Sequence, residues 1–120
     1  MPFTVTTFHR LLDRMADDGA SDLHLSSNEA PFFRISGQLV RSPDQFSTAA
    51  ELEEVARGIT NAQQYKAFES QKSVDLAMAS ADGERFRVNI YRDRGNVSFA
   101  IRLLDNEFKT LEELNLPEQL

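Results

Sequence analysis

The stretch from Glu84 to Leu104, ERFRVNIYRDRGNVSFAIRLL, constrains the fold more than any other part of the chain. Two alternating segments are joined by Asp93-Arg94-Gly95-Asn96, which is a hairpin signal. Phe86, Val88 and Ile90 share one face of the first segment, with Arg85, Arg87, Asn89 and Tyr91 on the other. In the second, Val97, Phe99, Ile101 and Leu103 lie opposite Ser98, Ala100 and Arg102. A four-residue loop at 93–96 sets Ile90 against Phe99, Val88 against Ile101 and Phe86 against Leu103. A slip of one residue would oppose apolar and polar faces, so the pattern selects the register. That register places Arg87 directly opposite Arg102, an arrangement unfavourable by roughly 0.2–1 kcal/mol. Either the two are solvated or matched by the chain's own carboxylates, or an anion visits them. Arginine suits an anion, because its permanent charge and forked donors match phosphate or carboxylate oxygens.

The remaining elements follow from spacing. Phe8, Leu11, Leu12 and Met15 form one face of a helix, with Thr6 or Thr7 as its cap and Gly19 at its end. Leu23 and Leu25 point inward from a strand over 21–26, with His24 on its polar side. Phe32-Phe33-Arg34-Ile35 and Gln38-Leu39-Val40-Arg41, joined by a tight Ser36-Gly37 turn, complete an antiparallel meander. Thr48 and Glu51 form a capping box before Leu52, Val55, Ala56 and Ile59. Thr60-Asn61 caps a further helix that carries Tyr65 and Phe68 and ends near Gln71. Val74, Leu76 and Met78 mark another strand, and Asp82-Gly83 the turn after it. Setting Leu76 and Met78 against Ile90 and Val88 requires an odd loop, as in a bulged or three-residue turn. Asp75 then shares a face with Arg87 and Arg102 and is the best internal partner for their charge. Thr110 to Glu113 is a second capping box. Pro117 suits the start of another helix, which the chain begins without finishing, as a piece of a longer protein would.

A net charge of −6 argues against a nucleic-acid or anionic-membrane surface. There is no cysteine, no apolar run long enough to span a bilayer and no basic region leading into an apolar secretory core. These features fit a cytoplasmic domain. The five glycines are isolated, so no phosphate-binding loop or dinucleotide fingerprint is present. No nucleophile elbow, cysteine nucleophile or metal-type histidine spacing occurs, so no catalytic or metal-ligating set is expected and this stretch is not expected to be an enzyme by itself. His24 reads more readily as a surface or hydrogen-bonded histidine than as a ligand.

Several blocks together resemble the secretion ATPases of type IV pili and type II secretion. They are Gly19-Ala20-Ser21-Asp22-Leu23-His24-Leu25, Phe33-Arg34-Ile35-Ser36-Gly37-Gln38-Leu39 and Arg85-Phe86-Arg87-Val88-Asn89. Asp93-Arg94-Gly95, Ile101-Arg102-Leu103-Leu104 and Thr110-Leu111-Glu112-Glu113-Leu114-Asn115-Leu116-Pro117 follow in the family's order. The form of these blocks is closer to the pilus retraction branch, that of twitching motility.

The resemblance implies an α/β (α+β) domain of PAS-like fold, an antiparallel sheet covered by helices, over residues 1–105. Residues 106–120 are then the linker toward a RecA-like ATPase domain. It implies a homohexameric ring in which this domain packs on the ATPase domain of a neighbouring subunit. Arg87 and Arg102 match positions that reach the nucleotide phosphates there, and Arg94 a less constant one. ATP and Mg belong to the parent protein, whose partners include the inner-membrane pilus or secretion machinery. The residues by themselves leave two further readings open. One is a stand-alone PAS-like ligand sensor, disfavoured by an inward face with no polar group to orient a ligand. The other is a docking module whose arginines bind an acidic protein.

Overall fold

A computed structural model describes residues 2–42 and 46–104. In chain order these form α1 (Val5–Asp18), β1 (Ala20–Leu25), β2 (Phe32–Ile35), β3 (Gln38–Arg41), α2 (Ala49–Ile59), α3 (Ala62–Gln71), β4 (Ser73–Ala79), β5 (Arg85–Asp93) and β6 (Asn96–Leu103). The strands make one sheet in the order β3-β2-β1-β6-β5-β4, with every neighbouring pair antiparallel. Two meanders, β1–β3 and β4–β6, are thus joined side by side through the first strand of one and the last of the other. The architecture is α+β, with helices on one face of the sheet, as expected.

The helix faces read from spacing are the buried ones: Phe8, Leu11, Leu12 and Met15 on α1, Leu52, Val55 and Ala56 on α2, and Phe68 on α3. They pack on Leu23, Leu25, Phe86, Val88, Ile90, Phe99 and Ile101 from the central strands. Gly58 lets α1 approach α2, since a Cβ there would come within 2.5 Å of Val5 Cγ2. The α1 cap is Thr4, not Thr6 or Thr7. Thr7 sits at the third helical position and exchanges hydrogen bonds with Thr4 in a capping box. In α2 the expected box of Thr48 and Glu51 forms, and Glu51 also accepts from the Phe3 amide at 2.9 Å, tying the N-terminal segment to α2.

The register of β5 with β6 is the one expected, with Arg87 opposite Arg102 and Val88 opposite Ile101. Its turn is shorter than the expected four residues. Asp93 and Asn96 already pair, and only Arg94 (φ 56) and Gly95 (φ 87) form the loop. Two left-handed central residues make a type I′ turn, whose twist matches the strands and so wins over a wider loop. Between β4 and β5 the loop is odd as expected, but Leu76 faces Val88 and Met78 faces Phe86. The hairpin closes early because the Ser80 amide donates to the Glu84 carbonyl (2.8 Å) and the Ser80 hydroxyl to the Glu84 carboxylate (2.9 Å). The capping box at 110–113, the helix starting at 117 and the linker lie outside the described residues.

Candidate anion-binding site

Strand alternation sends the polar residues of the central strands to the face away from the helices. Asp22 and His24 of β1, Arg34 of β2, Asp75 of β4, Arg87 and Asn89 of β5 and Arg102 of β6 border an open depression there, floored at Ala100. Two sequence-expected residues meet in it, since Arg87 and Arg102 are cross-strand neighbours. The third does not. Arg94 lies at the hairpin tip just past the end of β5, seven residues after Arg87, or about 23 Å at strand rise. No single phosphate group bridges that distance.

The carboxylate that meets Arg102 is Asp22, not Asp75. Asp22 is the cross-strand neighbour of Arg102 in the β1–β6 pairing, and its Oδ1 accepts from Arg102 Nε at 3.2 Å. Asp75 instead faces Asn89 in register and accepts from its side-chain amide at 3.0 Å. The β4 register shift that set Leu76 against Val88 also set Asp75 beside Asn89. Partial burial works against the Asp22 charge, but the Ser21 hydroxyl (2.8 Å) and the Arg102 guanidinium outweigh it and hold the carboxyl below its ordinary range. The Arg102 side chain stays 70% exposed while Asp22 is only 17% exposed. Arg102 engages Asp22 through Nε, with no partner for its terminal nitrogens among the described residues. Arg87 forms no hydrogen bond or ion pair with its side chain among those residues. Three arginines border the depression against two aspartates. His24 stacks on Phe32, 4.8 Å between ring centres, and Arg41 lies over the same ring at 4.9 Å, so these residues are occupied in a surface stack. Among the described residues no cluster of three metal-type side chains occurs, and no helix is long and apolar enough to cross a membrane.

A second charged constellation, on the helix side, escaped the sequence reading. Arg92 donates from Nη1 and Nη2 to the two oxygens of Glu53, 3.2 Å each, and from Nη1 to the Gly95 carbonyl at 3.1 Å. The Tyr65 hydroxyl also donates to Glu53, and Arg92 lies 4.9 Å over the Phe68 ring. Burial opposes the Glu53 charge, but these two donors outweigh it and hold the carboxyl below its ordinary range. One signal was available: Arg92 continues the every-second-residue series of Phe86, Val88 and Ile90, so it belongs to the covered face.

No protein-family model matches the chain. The type IV pilus ATPase PilU of Pseudomonas aeruginosa is 29% identical over 113 residues, covering 94% of this chain and 30% of that protein. The type IV pilus retraction ATPase PilT of the same organism is 31% identical over 108 residues, covering 90% and 31%. The crystal structure of the pilus retraction motor PilT with bound ADP superposes with a TM-score of 0.75 at 26% identity, over 92% of this chain and 32% of that one. The chain thus spans about a third of the length of these relatives. By sequence and by fold it is similar, over about 90% of its length, to the N-terminal domain of the traffic ATPases.

Proposed function

We propose that the chain serves as the N-terminal regulatory and oligomerisation domain of a hexameric traffic ATPase of the pilus retraction or secretion type. In this reading its open sheet face turns toward the RecA-like ATPase domain of a neighbouring subunit. ATP and Mg are held by that ATPase domain, and Arg87 and Arg102 extend toward the nucleotide phosphates. Their work is electrostatic: two fixed cations beside a phosphoryl group stabilise charge that spreads over its oxygens in the transition state. Arg94, at the far end of the hairpin, makes a separate and weaker contact. The inner-membrane pilus or secretion machinery is the partner on which the ring acts.

The observation that carries this reading is the placement of Arg87 opposite Arg102 on the face away from the helices, with no carboxylate on Arg87 among the described residues. A pair kept for the fold would be expected to have its charges matched within the chain. The test is ATP turnover of the full-length parent carrying Arg87→Gln or Arg102→Gln. Turnover should fall by orders of magnitude, within the roughly 10³–10⁵ that a catalytic arginine contributes in phosphoryl transfer. Nucleotide binding should stay largely intact, because the lost interaction belongs to the transition state. Unchanged turnover in both variants would refute the assignment.

A further inference from the structure

The open face already contains an anion of its own, and its placement bears on how an external anion binds. Asp22 has its carboxylate held from two directions: by the Ser21 hydroxyl at 2.8 Å and by Arg102 Nε at 3.2 Å. Its side chain is 17% exposed, whereas that of Arg102 is 70% exposed, so the carboxylate forms the fixed half of the pair. A guanidinium carries five donors in a rigid fork. Binding through Nε uses one edge, and Nη1 and Nη2 have no partner among the described residues, while Arg87 is the cross-strand neighbour on β5. Arg34, the β2 neighbour of Asp22, donates its Nη1 to the Gly37 carbonyl at 3.4 Å, so it does not compete for the carboxylate.

Resting on the anion role of the arginine pair, we propose that Asp22 is a resident counter-ion acting through Arg102, which lowers the affinity of this face for phosphate oxyanions. Arg87, Arg102 and Asp22 together carry one net positive charge, against two for the arginines alone. An incoming phosphate shares Arg102 with the carboxylate and takes the free Nη edge together with Arg87. The face then holds phosphate weakly on its own, and firm binding requires the further contacts of an assembled site. Ser21 supports Asp22, and the β1–β6 register supplies its position.

The experiment uses the 120-residue chain, inorganic triphosphate as the probe and low ionic strength. Backbone amide shifts of β1, β5 and β6 report binding, and circular dichroism confirms the fold of each variant. Asp22→Asn should bind triphosphate more tightly by roughly 3–10-fold, the scale of one unit charge removed about 5 Å from the ligand in a watery site. Asp22→Glu, which keeps the charge, should stay within about twofold of the unaltered chain and covers the case in which Asp22→Asn fails to fold. In the double variant Asp22→Asn/Arg102→Gln the gain over Arg102→Gln should be smaller, because the part carried through Arg102 is gone and only the direct charge effect remains. No gain in Asp22→Asn, or an undiminished gain in the double variant, overturns the counter-ion role. Arg87→Gln and Arg102→Gln should each weaken triphosphate binding. Should neither do so, the anion reading of the face itself falls, which separates the two failures.

Discussion

The two faces of the sheet treat arginine differently. On the covered face Arg92 is enclosed: both terminal nitrogens meet Glu53, its plane lies over Phe68, and Tyr65 completes the carboxylate's bonds. On the open face Arg87 stands opposite another arginine with no carboxylate partner among the described residues, and Arg102 has one partner among them while staying mostly exposed. Burial accounts for the difference. A partly buried charge must be paired and hydrogen-bonded to be tolerated, whereas an exposed one is hydrated at little cost. The covered arginine is therefore expected to contribute to stability, and the open pair is the one proposed above to meet a ligand.

Four changes test this contrast, beginning with the largest effect. Ile101 is 2% exposed and lies next to Arg102 on β6, so Ile101→Ala should destabilise the chain by about 2–5 kcal/mol in a denaturant titration. Arg92→Gln breaks a charge-assisted, half-buried bond network and should cost about 1–3 kcal/mol by the same measurement. A cost under half a kcal/mol would remove the contrast with the open face. Arg94→Asn, at a left-handed turn position that asparagine tolerates better, should stabilise by up to about 1 kcal/mol. Arg87→Gln should change stability by no more than about 0.5 kcal/mol, and in the stabilising direction, since it relieves the repulsion from Arg102.

Acid separates the faces less sharply. Asp22, Glu51 and Glu53 all have carboxyls held below the ordinary range: Asp22 and Glu53 by donors that outweigh burial, Glu51 by the Phe3 and Thr48 amides. The folded chain thus binds these protons less tightly than the unfolded one. Their stabilisation is full above about pH 5 and is lost as pH falls through the lowered folded values. Melting temperature should drop over that acid range, and Glu53→Gln should flatten part of the drop.

Local pattern revealed much of this fold in advance. The alternation of residues 86–103 sets a register that places Arg87 against Arg102 without knowledge of the remaining strands. Helix faces and the Thr48 box were equally legible, because their partners lie three or four residues away. What stayed hidden was non-local. Asp22 and Arg102 meet across 80 positions, because β1 lies beside β6, and nothing in either strand says which strand will be its neighbour. Glu53, Tyr65 and Arg92 come from α2, α3 and β5, and only their packing brings them together. The β4 register was off by two residues because Ser80 and Glu84 close the hairpin through side-chain bonds that alternation does not encode.

The central claim is that Arg87 serves a ligand and not the fold, and one variant measured in two ways tests it most directly. For Arg87→Gln, the melting temperature of this chain and the ATP turnover of the full-length parent are determined side by side. The account predicts an unchanged or slightly raised melting temperature with turnover reduced by orders of magnitude. A clear loss of melting temperature with turnover unchanged would contradict it.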